Sequence, residues 1–99
     1  MKRSDLIRRL KAVEPALRAQ GISALYLYGS HARDEARPDS DIDVLVEFDD
    51  DGSVDFLRYM APYMLLEDAF PNHVVGYGTK DNLVPEYRSH IERGTMRIF

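Results

Sequence analysis

Apolar positions along the chain follow two different periods. Leu6, Ile7, Leu10, Val13 and Leu17 recur three or four residues apart among Arg and Lys, the spacing of a helix with one buried face. Ser4 is placed to cap that helix ahead of Asp5, Pro15 to kink or divide it, and Gly21 to end it. Ile22 to Tyr28 is short, aromatic and partly β-branched, which predicts a buried strand. Ser30 to Glu35 predicts a short helix, broken at Arg37-Pro38-Asp39. Asp41 to Phe48 alternates at first and then turns almost wholly apolar, as expected of a central strand.

Beyond it, Asp49 to Gly52 predicts a solvated turn, since the remaining oxygen ligands of a calcium loop are absent. Ser53 is a candidate cap for a further helix. Val54, Leu57, Tyr59, Met60, Met64 and Leu65 would form its core face, and Pro62 would disturb it. His73 to Tyr77 predicts a third strand, weakened by Gly76, and Thr79 or Asp81 can begin a last helix reaching about Arg93. Gly94 ends that helix and Met96 to Phe99 form a short tail. The expected fold is therefore α/β (α+β). It is a small mixed sheet of three to four strands flanked by helices, in one domain over residues 1–99.

Composition narrows the function. The chain is 44% hydrophobic and 30% charged, ordinary for a globular domain with one modest core. It has no cysteine, which removes disulfides and thiolate metal sites and fits a cytoplasmic location. No apolar run is long enough for a signal peptide core or a membrane span, so no membrane association is expected. A net charge of −4 argues against a general nucleic-acid binder, though not against a nucleotide carried with magnesium. The first turns are basic and residues 39–55 are strongly acidic, a contrast that reads first as solvated surface.

The chemistry is concentrated between Gly29 and Phe48. Gly29-Ser30 falls where a strand gives way to a helix. There glycine lets a phosphate approach the backbone, and free N–H groups with a Ser hydroxyl can receive it. Alone, the pair is only a tight turn. Asp41 and Asp43 stand two apart on an extended segment, so they share a face, about 7 Å apart from the rise per residue. Two like charges in a strand repel, and Asp is a poor strand former, so a purely structural role is unfavourable. Two carboxylates so placed suit Mg²⁺ ions of a phosphoryl-transfer site. Arg33 can reach a phosphate oxygen, or equally pair with Asp39 or Glu35. Ser40 reads as a loop-orienting residue.

This stretch resembles the signature of the minimal nucleotidyltransferases of the polymerase-beta-like superfamily. The match is carried by Gly29, Ser30, Ala32, Arg33, Ala36, Ser40, Asp41, Ile42 and Asp43. The resemblance implies that Gly29 and Ser30, with Arg33 and Ser40 nearby, hold the triphosphate of ATP or another nucleoside triphosphate. Asp41 and Asp43 would be the catalytic metal ligands, with two Mg²⁺ ions. A nucleoside monophosphate would pass to a protein hydroxyl, releasing pyrophosphate. It further implies a helical partner of the higher-eukaryote-and-prokaryote nucleotide-binding (HEPN) toxin type. The chain would be the antitoxin, modifying a tyrosine of that toxin.

One departure stands out. The family carries a third carboxylate on the next strand, and Val75 to Thr79 aligns with that segment so that Gly76 takes its place. The register is supported by Thr79, Asp81, Leu83 and Pro85, which resemble the residues following it in the family. Glycine can neither bind a metal nor act as a base. The alternatives are an impaired, binding-only antitoxin, or a substitute from Asp81, Asp68 or Glu67. His73 is a weaker candidate for the same cleft.

Overall fold

The computed structural model of the chain describes residues 2–29, 40–49, 54–79 and 94–99. The expected short helix after Gly29, the last helix, and residues Ser30, Arg33, Ser53 and Asp81 lie outside these.

The N-terminal helical pattern forms two helices, α1 (Arg3–Ala12) and α2 (Glu14–Ala19), hinged at Val13. Pro15 sits in the first turn of α2, where its missing N–H has no helical partner to lose. Leu6, Leu10 and Leu17 carry the buried face across the break. The first cap differs from expectation: Lys2 precedes α1 without a side-chain cap, and Ser4 lies exposed within the helix. Gly21 ends α2 at φ +90°, a conformation that lacks the Cβ clash of other residues.

Strand β1 (Ile22–Tyr28) pairs antiparallel with β2 (Ile42–Phe48). A bulge between Ile22 and Ala24 lets Ile22, Leu25 and Leu27 all reach the core face. After β2 the chain crosses through α3 (Phe56–Ala69) and returns as β3 (Val75–Thr79), parallel to β2. The tail is not a loose end. Met96–Arg97 forms β4 against β1, and Ile98 and Leu25 continue the pairing through Ile98 N–H to Leu25 C=O at 2.8 Å. Among the described residues the sheet order is β3-β2-β1-β4, with β2 inside as expected.

The three helices of the described residues share one face of this sheet. Leu6, Leu10, Leu17, Leu66 and Phe70 pack with Leu25, Leu27, Ile42, Val44, Val46 and Val75. Helix α3 departs from its predicted face. Pro62 and Leu66 are its buried residues, followed by Phe70, while Leu57 and Met64 are 78% and 62% exposed. The helix continues through Pro62, and its N-cap is Asp55, whose carboxylate accepts the Arg58 N–H at 2.8 Å. Among the described residues no helix is long and apolar enough to cross a membrane.

Candidate functional site

Strand alternation sends the odd-numbered residues of β2 to the face opposite the helical core. In register across three strands, Tyr28, Asp43 and Gly76 form one row there, and Tyr26, Leu45 and Gly78 form the next. The second row is closed by chemistry of its own. Tyr26 donates from its hydroxyl to Glu47 at 3.2 Å, and the Arg97 guanidinium lies over the Tyr26 ring.

Asp43 is half-buried, and its carboxylate lies between two glycines. Gly29 follows β1 directly at φ +75°, and a Cβ on it would stand 2.5 Å from Asp43 Oδ2. A Cβ on Gly76, on the other side, would run into Asp43 Oδ1. The carboxylate therefore fills the room that side chains at both positions would need. Asp41 is exposed and immediately precedes the first residue of β2, one position later than the expected strand start. Its two-residue offset on extended backbone keeps it on the Asp43 side. Ser40 is half-buried beside it.

Tyr28 is a member of this row that sequence reasoning missed. Burial first, and then the negative charge of Asp43, push its hydroxyl above the ordinary tyrosine value. It remains a neutral donor and an aromatic wall beside the carboxylate. The available signal was its position immediately before Gly29, on a strand whose alternation puts it opposite Asp43.

The candidate substitutes for a third carboxylate separate by topology. Glu67 and Asp68 are exposed on α3, a helix packed on the opposite face of the sheet, so they do not meet Asp43. His73 sits in the turn before β3, with its backbone N–H on the Phe70 carbonyl, and is not in the row. Among the described residues no three His, Asp or Glu side chains converge to hold a metal. Asp41 and Asp43 still suit a Mg²⁺ that arrives with a triphosphate, because Mg²⁺ commonly takes one or two carboxylates and completes its shell with phosphate oxygens and water.

Comparison with known proteins identifies the family and the fold. The family model of the nucleotidyltransferase domain matches residues 9–96. The chain belongs to the nucleotidyltransferase domain family. No curated protein sequence matches it. Among solved structures, the domain resembles one described as a candidate minimal nucleotidyltransferase, at 29% identity and TM-score 0.78, over 97% of this chain and 95% of that one. It also resembles a toxin–antitoxin structure with AMP-PNP, at 16% identity and TM-score 0.65, over the whole of this chain and 73% of that one. A mutant of the toxin–antitoxin pair MntA–HpeT gives 14% identity and TM-score 0.61, with the same coverage. The four-stranded mixed sheet of this nucleotidyltransferase domain, with its flanking helices, is the shared fold.

Proposed function

We propose that this nucleotidyltransferase domain binds a nucleoside triphosphate with Mg²⁺ but is impaired in transfer, and that it acts as an antitoxin by contact with a helical toxin of the HEPN type. The observation that carries the proposal is the pairing of Asp43 with Gly76. Gly29 gives the phosphates close access to backbone, with Ser30 and Arg33 as further phosphate ligands and Ser40 orienting the loop. Asp41 and Asp43 would hold the Mg²⁺, which neutralises triphosphate charge when bound. Tyr28 stays protonated at the wall of the site. An acceptor hydroxyl approaching beside β3 meets glycine, which cannot take its proton. The partner is suggested by the fold's likeness to two toxin–antitoxin structures, one described with AMP-PNP and the other as a mutant with two aspartates changed to glutamate.

A second reading is transfer of a nucleoside monophosphate from ATP to a tyrosine of that partner. It is favoured by the retention of both Asp41 and Asp43 on one extended segment. Incubation with labelled ATP, Mg²⁺ and a candidate helical partner separates the two. The proposal expects Mg²⁺-dependent ATP binding, reduced in Asp43→Asn, and a stable complex without label transfer. Label transfer that disappears in Asp41→Asn would establish the enzyme instead. ATP binding indifferent to both substitutions would remove Asp41 and Asp43 from the site.

A further inference from the structure

Tyr28 stands between the two halves of the candidate site. It is the last residue of β1, immediately before Gly29, whose φ of +75° turns the chain out of the strand. It also pairs in register with Asp43 across antiparallel strands, on the face away from the helical core. Such a cross-strand pair brings the two Cβ atoms to about 4.5–5.5 Å. Asp43 in turn directs Oδ2 to the Gly29 side. The half-buried Tyr28 ring is therefore flanked by the carboxylate proposed to hold the cation and by the turn proposed to receive the phosphates. Burial first, and then the charge of Asp43, keep its hydroxyl protonated. The carboxylate acts on that hydroxyl as a charge, whereas Glu67 accepts a hydrogen bond from Tyr63. A phenol that keeps its proton is a donor, and an anionic oxygen is its strongest acceptor.

We propose that Tyr28 is a nucleotide-binding residue whose hydroxyl donates to a non-bridging oxygen of the bound triphosphate. The proposal rests on the nucleotide-binding function set out above and adds to it a phosphate ligand from the end of β1. Phosphate is the acceptor because both neighbours of Tyr28, the Gly29 turn and Asp43, belong to the phosphate-and-cation end of that site. Tyr26 makes the contrast on the same strand and face. It lies one row further along, opposite Leu45, and its hydroxyl already donates to Glu47 at 3.2 Å.

The test is titration calorimetry of the full chain with Mg²⁺–ATP and with Mg²⁺–tripolyphosphate, in the unaltered protein, Tyr28→Phe and Tyr26→Phe. Phenylalanine keeps the ring and its packing and removes only the hydroxyl. Tyr28→Phe is expected to raise Kd about tenfold or more for both ligands, the loss of a hydrogen bond to a charged acceptor. An equal loss for the two identifies phosphate as the acceptor, since tripolyphosphate carries no nucleoside. Tyr26→Phe is expected to leave both affinities unchanged. Unchanged affinity in Tyr28→Phe would overturn the proposal while leaving nucleotide binding intact. A loss confined to ATP would also overturn it, by placing the hydroxyl on the nucleoside, as would an unaltered protein that binds ATP and not tripolyphosphate. An equal loss in Tyr26→Phe would do the same, because the effect would then be a general loosening of this sheet face. Binding of neither ligand by the unaltered protein would overturn the nucleotide-binding function and this proposal together.

Discussion

Asp43 and Gly76 face one another across the only parallel strand pair among the described residues, and the Asp43 carboxylate occupies the place of a Gly76 side chain. A Gly76→Ala change must therefore displace a carboxylate, the far end of a short side chain, and leaves the backbone of β3 alone. The expected stability loss is below about 1 kcal/mol, because a movable side-chain end yields more readily than packed core. Affinity for Mg²⁺–ATP should nevertheless fall, since Asp43 is what moves. Thermal melts and titration calorimetry on the same variant would show the two effects separating.

Gly29→Ala should behave differently, although it confronts the same carboxylate. Its Cβ would stand 2.5 Å from Asp43 Oδ2, and its φ of +75° is a conformation that L side chains rarely adopt. The left-handed backbone adds roughly 1–2 kcal/mol to the carboxylate shift. For a domain of this size, each 1 kcal/mol lowers Tm by roughly 4–8 °C. A Gly29→Ala melt should therefore lie clearly below that of Gly76→Ala. Equal melting temperatures would show that the turn at Gly29 is not held in its left-handed form.

Much of this arrangement was legible in the sequence, for identifiable reasons. Ile22–Tyr28 is bounded by glycines, and the β2 segment carries the apolar run of an inner strand, so both strands stand out. In the structure Gly76 stands beside Asp43 because β3 starts in register with the start of β2, Ile42 against Val75. The face of α3 was less legible. Apolar residues surround most of that helix, so spacing alone did not separate Leu57 and Met64 from Tyr63, Leu66 and Phe70. Asp55 accepts the Arg58 N–H, and this sets the start of α3 two residues beyond the Ser53 expectation. Strand β4 was missed because two residues carry no period of their own. It exists because the free edge of β1 pairs with it and Ile98 is buried beside it.

The corrected face of α3 makes a direct prediction. Leu66 is 1% exposed and packed in the core, so Leu66→Ala should cost about 2–5 kcal/mol from lost contact and the cavity left behind. Leu57→Gln and Met64→Gln replace exposed residues with a good helix former. Each should change stability by no more than about 0.5 kcal/mol. Denaturant titration of the three variants tests this. A large loss for Leu57→Gln or Met64→Gln would restore the face that the sequence pattern first suggested.

Tyr77 makes the stability of the fold sensitive to alkaline pH. Its hydroxyl donates to the Tyr59 carbonyl at 2.8 Å, and its ring meets Tyr59 edge-on at 5.2 Å. Burial first, and then the neighbouring Tyr59, raise its pKa above the ordinary 10.0. Because the folded value is the higher one, the native state holds this proton more tightly than the unfolded chain does. The contribution to stability is complete below about pH 10 and is lost as pH rises from there through the folded value. Tyr28 and Tyr63 are raised in the same direction and add to the trend. Tyr77→Phe removes the titrating group together with one hydrogen bond. At neutral pH it should cost about 1 kcal/mol, and above pH 10 the gap between variant and parent should narrow, since the variant has no proton to lose there. Urea melts of both proteins from neutral pH into the alkaline range would show this convergence. A gap that stays constant would mean that Tyr77 ionises no later in the folded protein than in the unfolded chain.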